Sequence, residues 1–116
     1  MIKKKLTFFF FSRRNCWFVG EVLVYFSHSQ NGVESFFAVV DVMKHHAIDD
    51  FDIPTVKKDP DHKHIAVINF KNIIRCVGLV RYSDDENEYH VIWQYAKFDK
   101  RIDGRPAGAL NDLRNL

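Results

Sequence analysis

Trp17-Phe18-Val19-Gly20-Glu21-Val22-Leu23-Val24-Tyr25-Phe26, then Ser27-His28-Ser29-Gln30-Asn31-Gly32, then Val33-Glu34-Ser35-Phe36-Phe37-Ala38-Val39-Val40-Asp41-Val42-Met43 is the stretch that decides the fold class. Its apolar period is two residues, the period of a strand. Phe18, Gly20, Val22, Val24 and Phe26 fall on one face; Trp17, Val19, Glu21, Leu23 and Tyr25 fall on the other, so both faces are largely apolar. Asn31-Gly32 between the two runs is a hairpin signal, because both residues accept positive φ. In the second run Phe36, Ala38, Val40 and Val42 share a face, opposite Phe37, Val39 and Asp41. Valine, phenylalanine and tyrosine dominate, and these fit a pleated surface better than a helix.

Working outward, three more strands are expected downstream. His64 to Phe70 places Ala66, Ile68 and Phe70 on one face. Lys71-Asn72-Ile73-Ile74 reads as a short helical turn. Val77 to Tyr82 follows, with Gly78 marking a bulge or a close backbone approach. Ser83 to Glu88 is a polar hairpin tip, after which Tyr89, Val91, Trp93 and Tyr95 alternate with His90, Ile92 and Gln94. The prediction is an all-β fold, a small antiparallel β-barrel or sandwich of about five strands. Ala109, Leu110, Leu113 and Leu116 predict a short C-terminal helix beyond the turn formers Gly104, Pro106 and Gly108.

The chain has 116 residues, room for one domain. Composition changes abruptly at Cys16-Trp17. Residues 1–15 therefore read as a basic, Phe-rich segment outside the core, 16–98 as the β domain and 99–116 as a tail. Leu6 to Phe11 is too short an apolar run for a signal peptide, and Arg13, Arg14 and Asn15 stand where small residues would be needed. No stretch approaches the length of a membrane-spanning helix. Phe8 to Phe11 would be an aggregation hazard if exposed, so they are expected either to form an edge strand or to be foreign to the domain. An intracellular setting, nuclear or cytoplasmic, is expected.

The formal charge of +2 is unevenly spread. Lys3, Lys4, Lys5, Arg13 and Arg14 give the first 14 residues +5, and the remainder carries 12 bases against 15 acids, a net of −3. Phosphate neutralisation supplies most of the affinity of nucleic-acid-binding domains, so an acidic body disfavours that class. Two cysteines, Cys16 and Cys76, are too few for a disulfide framework. Cys76 lies in an apolar run that suggests a buried, inert thiol.

Signals for chemistry are sparse. His62 and His64 are two apart and share a strand face, as a pair of metal ligands would, yet the residues that follow, Ile65 to Phe70, supply no third ligand. No Gly-x-Ser-x-Gly elbow and no glycine-rich phosphate loop occur. No cofactor, metal or small-molecule substrate is expected. The connection Lys44 to Lys63 is long for so small a domain and holds Pro54, Pro60 and five aspartates. It is expected to be a loop dispensable for folding that displays apolar anchors, Phe51 and Ile53 above all, to a partner; the alternative is that these anchors tuck against the barrel wall. Trp93 and Tyr95, late in the last strand, are expected to be partly exposed and to bind as well.

Gly20-Glu21-Val22, Tyr25-Phe26 and Phe37-Ala38-Val39-Val40 resemble the opening of uncharacterised fungal β-rich domains found C-terminally in proteins associated with mobile elements. Val67-Ile68, Ile73, Val77-Gly78-Leu79-Val80 and Tyr89-His90-Val91-Ile92 are similar to their second half. More loosely, the order of elements over residues 17–95 resembles the bromo-adjacent homology domain, a β-barrel module of chromatin proteins. That resemblance implies protein binding and carries over no functional residue. The expected function is a non-enzymatic module that binds a macromolecule, above all a protein. Two alternatives stand beside it: a metal-dependent enzyme using the His/Asp cluster at 45–64, and a nucleic-acid contact through the basic ends.

Overall fold

The computed structural model describes residues 7–92, 106–110 and 113. Among them eight strands form: β1 Phe8–Arg13, β2 Cys16–Gln30, β3 Val33–Val42, β4 His45–Ile48, β5 Pro54–Lys57, β6 Ile65–Asn69, β7 Ile73–Arg81 and β8 Glu88–Ile92. They build one antiparallel sheet in the order β4-β5-β8-β7-β1-β2-β3-β6, curled into a half-barrel. The five expected strands are β2, β3, β6, β7 and β8. Three more, β1, β4 and β5, bring the number to eight. A 3-10 turn at Phe70–Asn72, capped by the Asn69 side chain accepting the Lys71 N–H, stands one residue before the expected helical turn.

β1 corrects the expected domain boundary. The phenylalanine run is neither foreign nor an edge: it lies between β7 and β2. Phe8 and Phe10 enter one core, and Phe11 enters the core on the opposite face. Phe10 and Phe11 are 0% and 1% exposed. A strand covered on both faces needs no polar alternation, which is why the run looked anomalous. Arg14 and Asn15, both at positive φ, close a two-residue hairpin into β2.

The two cores lie on opposite faces. The first joins Phe10, Trp17, Val19, Met43, Val56, Ile74 and Val91; the sheet curls enough for β5 and β2, four places apart, to share it. The second joins Phe11, Phe18, Ala38, Val40, Val42 and Ile68, with Leu110 and Leu113 packed against it. Fully burying each such side chain contributes roughly 1.5–3 kcal/mol. Leu110 and Leu113 are helical; the remainder of the expected helix beyond Leu110 lies outside the described residues. The described part of the tail, residues 106–110 and 113, is thus part of the fold. Pro106 accepts the Trp17 N–H, and the Gly108 N–H donates to the Trp17 carbonyl.

β7 carries the sheet around the corner. Ile73 to Val77 pair with β1, and Gly78 to Arg81 pair with β8. Gly78 sits at the handover, where an added Cβ would lie 3.2 Å from Ile92 Cγ1, so the close approach expected there is present. A bulge between Val22 and Val24 sets Val22 opposite Val40 but Val24 opposite Val39. Val24 and Phe26 therefore leave the face of Phe18 and Val22, which strict alternation had assigned them. Beyond the bulge, Ser27–Gln30 and Val33–Phe36 pair only with each other among the described residues, forming a two-stranded arm closed by Asn31 and Gly32 at positive φ.

Candidate functional site

The segment 44–63 is not the free loop expected from its length. β4 and β5 pair through it, from His45 opposite Lys57 to Ile48 opposite Pro54, and β5 pairs on with β8. Pro54 and Val56 are buried, so this hairpin is a wall of the half-barrel and not a dispensable display. At its tip the Asp49 carboxylate accepts the N–H groups of Phe51 and Ile53. Those bonds, that of Ile53 first, hold the Asp49 carboxyl below its usual range, with His90 adding to the effect. Phe51 projects from this turn with 83% of its surface exposed, whereas Ile53 is half-buried. Trp93 and Tyr95 lie outside the described residues.

Two aspartates of the segment pair separately with histidines outside it. His64 Nε2 meets Asp59 Oδ2 at 2.9 Å, and with the Asp61 and His62 N–H groups it brings the Asp59 carboxyl to about 2. His64 also donates its backbone N–H to the nearly buried Asp41. His90 Nε2 meets Asp49 Oδ2 at 3.1 Å and its ring stacks flat on Tyr82, centroids 3.9 Å apart. Lys57 bridges to Asp85 at 3.0 Å, tying β5 to the acidic hairpin tip. Beside it lies a recess of about 230 Å³ lined by His45, Thr55, Lys57, Tyr82 and Glu88. Among the described residues no three His, Cys, Asp or Glu side chains converge on a metal position. His46 is set apart, inside the wall: its Nε2 accepts the Val19 N–H at 3.0 Å, and burial pushes its pKa down to about 4.

A third feature went unread in the sequence. The rings of Phe9, Tyr25, Phe70 and Phe36 form a connected strip. Phe9 meets Tyr25 edge to face at 6.5 Å, Tyr25 meets Phe70 edge to face at 5.5 Å, and Phe36 lies tilted against Phe70 at 6.2 Å. Tyr25, Phe36 and Phe70 are 49%, 52% and 44% exposed. The strip continues the second core outward: Phe9 lies two residues before Phe11, and Tyr25 stands opposite Ala38. Four elements supply it, β1, β2, β3 and the 3-10 turn, so no local pattern announces it. Cys76, opposite Phe9 on β7, is exposed and not the buried thiol expected. Desolvation, and then the nearby Cys76, raise the Tyr25 pKa. No helix among the described residues is long and apolar enough to cross a membrane.

Comparison of the chain with protein-family models, with curated proteins and with solved structures finds no match.

Proposed function

We propose that this chain is a partner-binding module, without catalytic chemistry of its own, that holds an apolar segment of another protein on the strip Phe9–Tyr25–Phe70–Phe36. The observation that carries this reading is the strip itself: four touching rings, three of them about half open to water, mounted on three paired strands and the 3-10 turn. Aromatic side chains are enriched in the cores of protein interfaces. Rings already ordered by one another lose little freedom when a partner arrives. Nucleic acid is less well served. Base stacking needs open ring faces along a basic groove, and these rings meet at tilts of 51–69° on a chain that, beyond Lys3, Lys4 and Lys5, carries 14 bases against 15 acids. A transposon- or chromatin-associated, intracellular setting accompanies this reading through the sequence resemblance and rests on it alone.

The test is a selection from a displayed random-peptide library on the full chain, followed by titration of the selected peptides. Tyr25→Ala and Phe70→Ala are expected to weaken binding at least about tenfold while leaving the melting temperature within a few degrees. Peptides that bind both variants as well as the parent would place the site elsewhere. Phe51→Ala in the same titration examines the hairpin tip as a second contact.

A further inference from the structure

The two ends of the sheet are finished differently. β4 is only four residues long, has Pro54 at the start of its neighbour β5, and turns His46 inward to β2. β6, at the other end, is five residues long and has neither a proline beside it nor a side chain turned inward to another strand's backbone. Ile65-Ala66-Val67-Ile68-Asn69 contains no proline and no charged residue, and its register against β3 is unbroken. The backbone direction follows from its first bonds. Val42 donates its N–H to the His64 carbonyl, and the His64 N–H donates to the Asp41 carboxylate on β3, so the His64 backbone faces β3. Alternation along the strand then turns the N–H and C=O groups of Ile65, Val67 and Asn69 outward. Among the described residues no strand pairs with that side. Ile65 and Val67 are 53% and 49% exposed beside it. Natural sheets blunt such edges with charge, proline or bulges, because they are templates for another strand.

We propose that a second copy of this chain pairs there, β6 against β6 antiparallel, about a two-fold axis through Ala66. A closed isologous contact of this kind needs a self-complementary strand. Strand geometry holds over Ile65–Asn69, and within it one register matches both exposed apolar side chains. With Val67 opposite its own copy, Ile65 stands opposite the polar Asn69. With Ile65 opposite its own copy, Val67 runs past the start of the partner's strand, and with Val67 opposite Asn69, Ile65 runs past its end. With Ile65 opposite Val67 both are matched, so the apolar pattern selects that register, in which Ile65 and Val67 of the two copies meet on one face and Ala66 meets its own copy.

Sedimentation equilibrium of the full chain is expected to show a monomer–dimer equilibrium that shifts with concentration. Val67→Pro removes one outward N–H and leaves the ladder to β3 intact; Ile65→Lys places a charge at the contact. Both are expected to give monomers with an unchanged circular dichroism spectrum. If Val67→Pro disturbs the fold, Ile65→Lys decides alone. Ala66→Cys is expected to form a disulfide-linked dimer under mild oxidation that the parent chain does not form, since residue 66 would occupy the closer, non-hydrogen-bonded position across the axis. A chain that stays monomeric at every soluble concentration overturns the proposal, whether or not a foreign strand binds the edge. So does a dimer unaffected by Ile65→Lys.

Discussion

His46 and Gly108 show how single residues close this molecule. Where β3 leaves β2, the Val19 N–H loses its strand partner and donates to His46 Nε2, while the Val19 carbonyl accepts from Met43. The imidazole also meets the Trp17 and Phe18 rings edge to face. Only neutral imidazole can accept that bond, and burial holds the pKa near 4 against the opposing pull of backbone groups at Val19 and Gly108. In the unfolded chain the same side chain titrates near 6.5. Between these values the unfolded chain takes up a proton that the folded chain refuses. The stability present above pH 6.5 is therefore lost as pH falls toward 4, by roughly 3 kcal/mol. Chemical denaturation of the parent chain at pH 7 and at pH 4.5 is expected to show this loss, and His46→Gln to flatten it. The Asp59 carboxyl, at about 2, contributes its own loss below that window. Gly108 rests on the face of the buried Phe18 ring, where an added Cβ would overlap ring atoms. Gly108→Ala is expected to lower stability by about 1–3 kcal/mol, read from thermal melting.

At the scale of elements, β2, β3, β6, β8 and the second half of β7 were legible from alternation, Asn31-Gly32 and the Ser83–Glu88 tip, whereas Ile73 and Ile74, expected in a helical turn, open β7. β1 was not, because a doubly covered strand has the pattern of a generic apolar run. Its turn carries Arg14-Asn15 in place of Asn-Gly, and Asn15 was the one faint signal. β4 and β5 were hidden by their four-residue lengths and by the aspartates and prolines around them. Removing residues 1–14 takes away a central strand and its two cores' shared wall, so residues 15–116 are expected to show no cooperative melting transition. Phe10→Ala in the full chain is expected to cost about 3–5 kcal/mol, measured by denaturant titration. Replacing Ala47–Asp61 by a Gly/Ser bridge deletes Val56 from the first core and β5 from its place between β4 and β8. Loss of the fold is the expected result, seen in the circular dichroism spectrum.

For the whole molecule, stability is unevenly distributed. The half-barrel and its second face bury Phe10, Phe11, Trp17, Phe18 and Val19, all at 1% exposure or less. The arm Ser27–Phe36 has two strands, no third strand beside it among the described residues, and side chains largely open to water. An isolated hairpin is marginally stable in water. Amide hydrogen exchange is expected to show low protection from Ser27 to Ser35 and the highest protection from Phe10 to Val19. Equal protection across both regions would mean that the arm is covered in solution.

The sequence by itself determined the all-β class, the hairpin at Asn31-Gly32 and the polar tip at Ser83–Glu88. Those features depend on period and on local turn chemistry, which neighbouring residues carry between them. Tertiary structure alone decided which strand is central, because whether Phe8–Phe11 is a hazard or a core depends on what covers both faces. It decided that the segment around Val56 is a wall, since that requires β8 on one side of β5 and β4 on the other. It also decided the surface chemistry. Phe9, Tyr25, Phe36 and Phe70 are spread over most of the chain, and only the sheet order β1-β2-β3, with the turn after β6, brings their rings into contact.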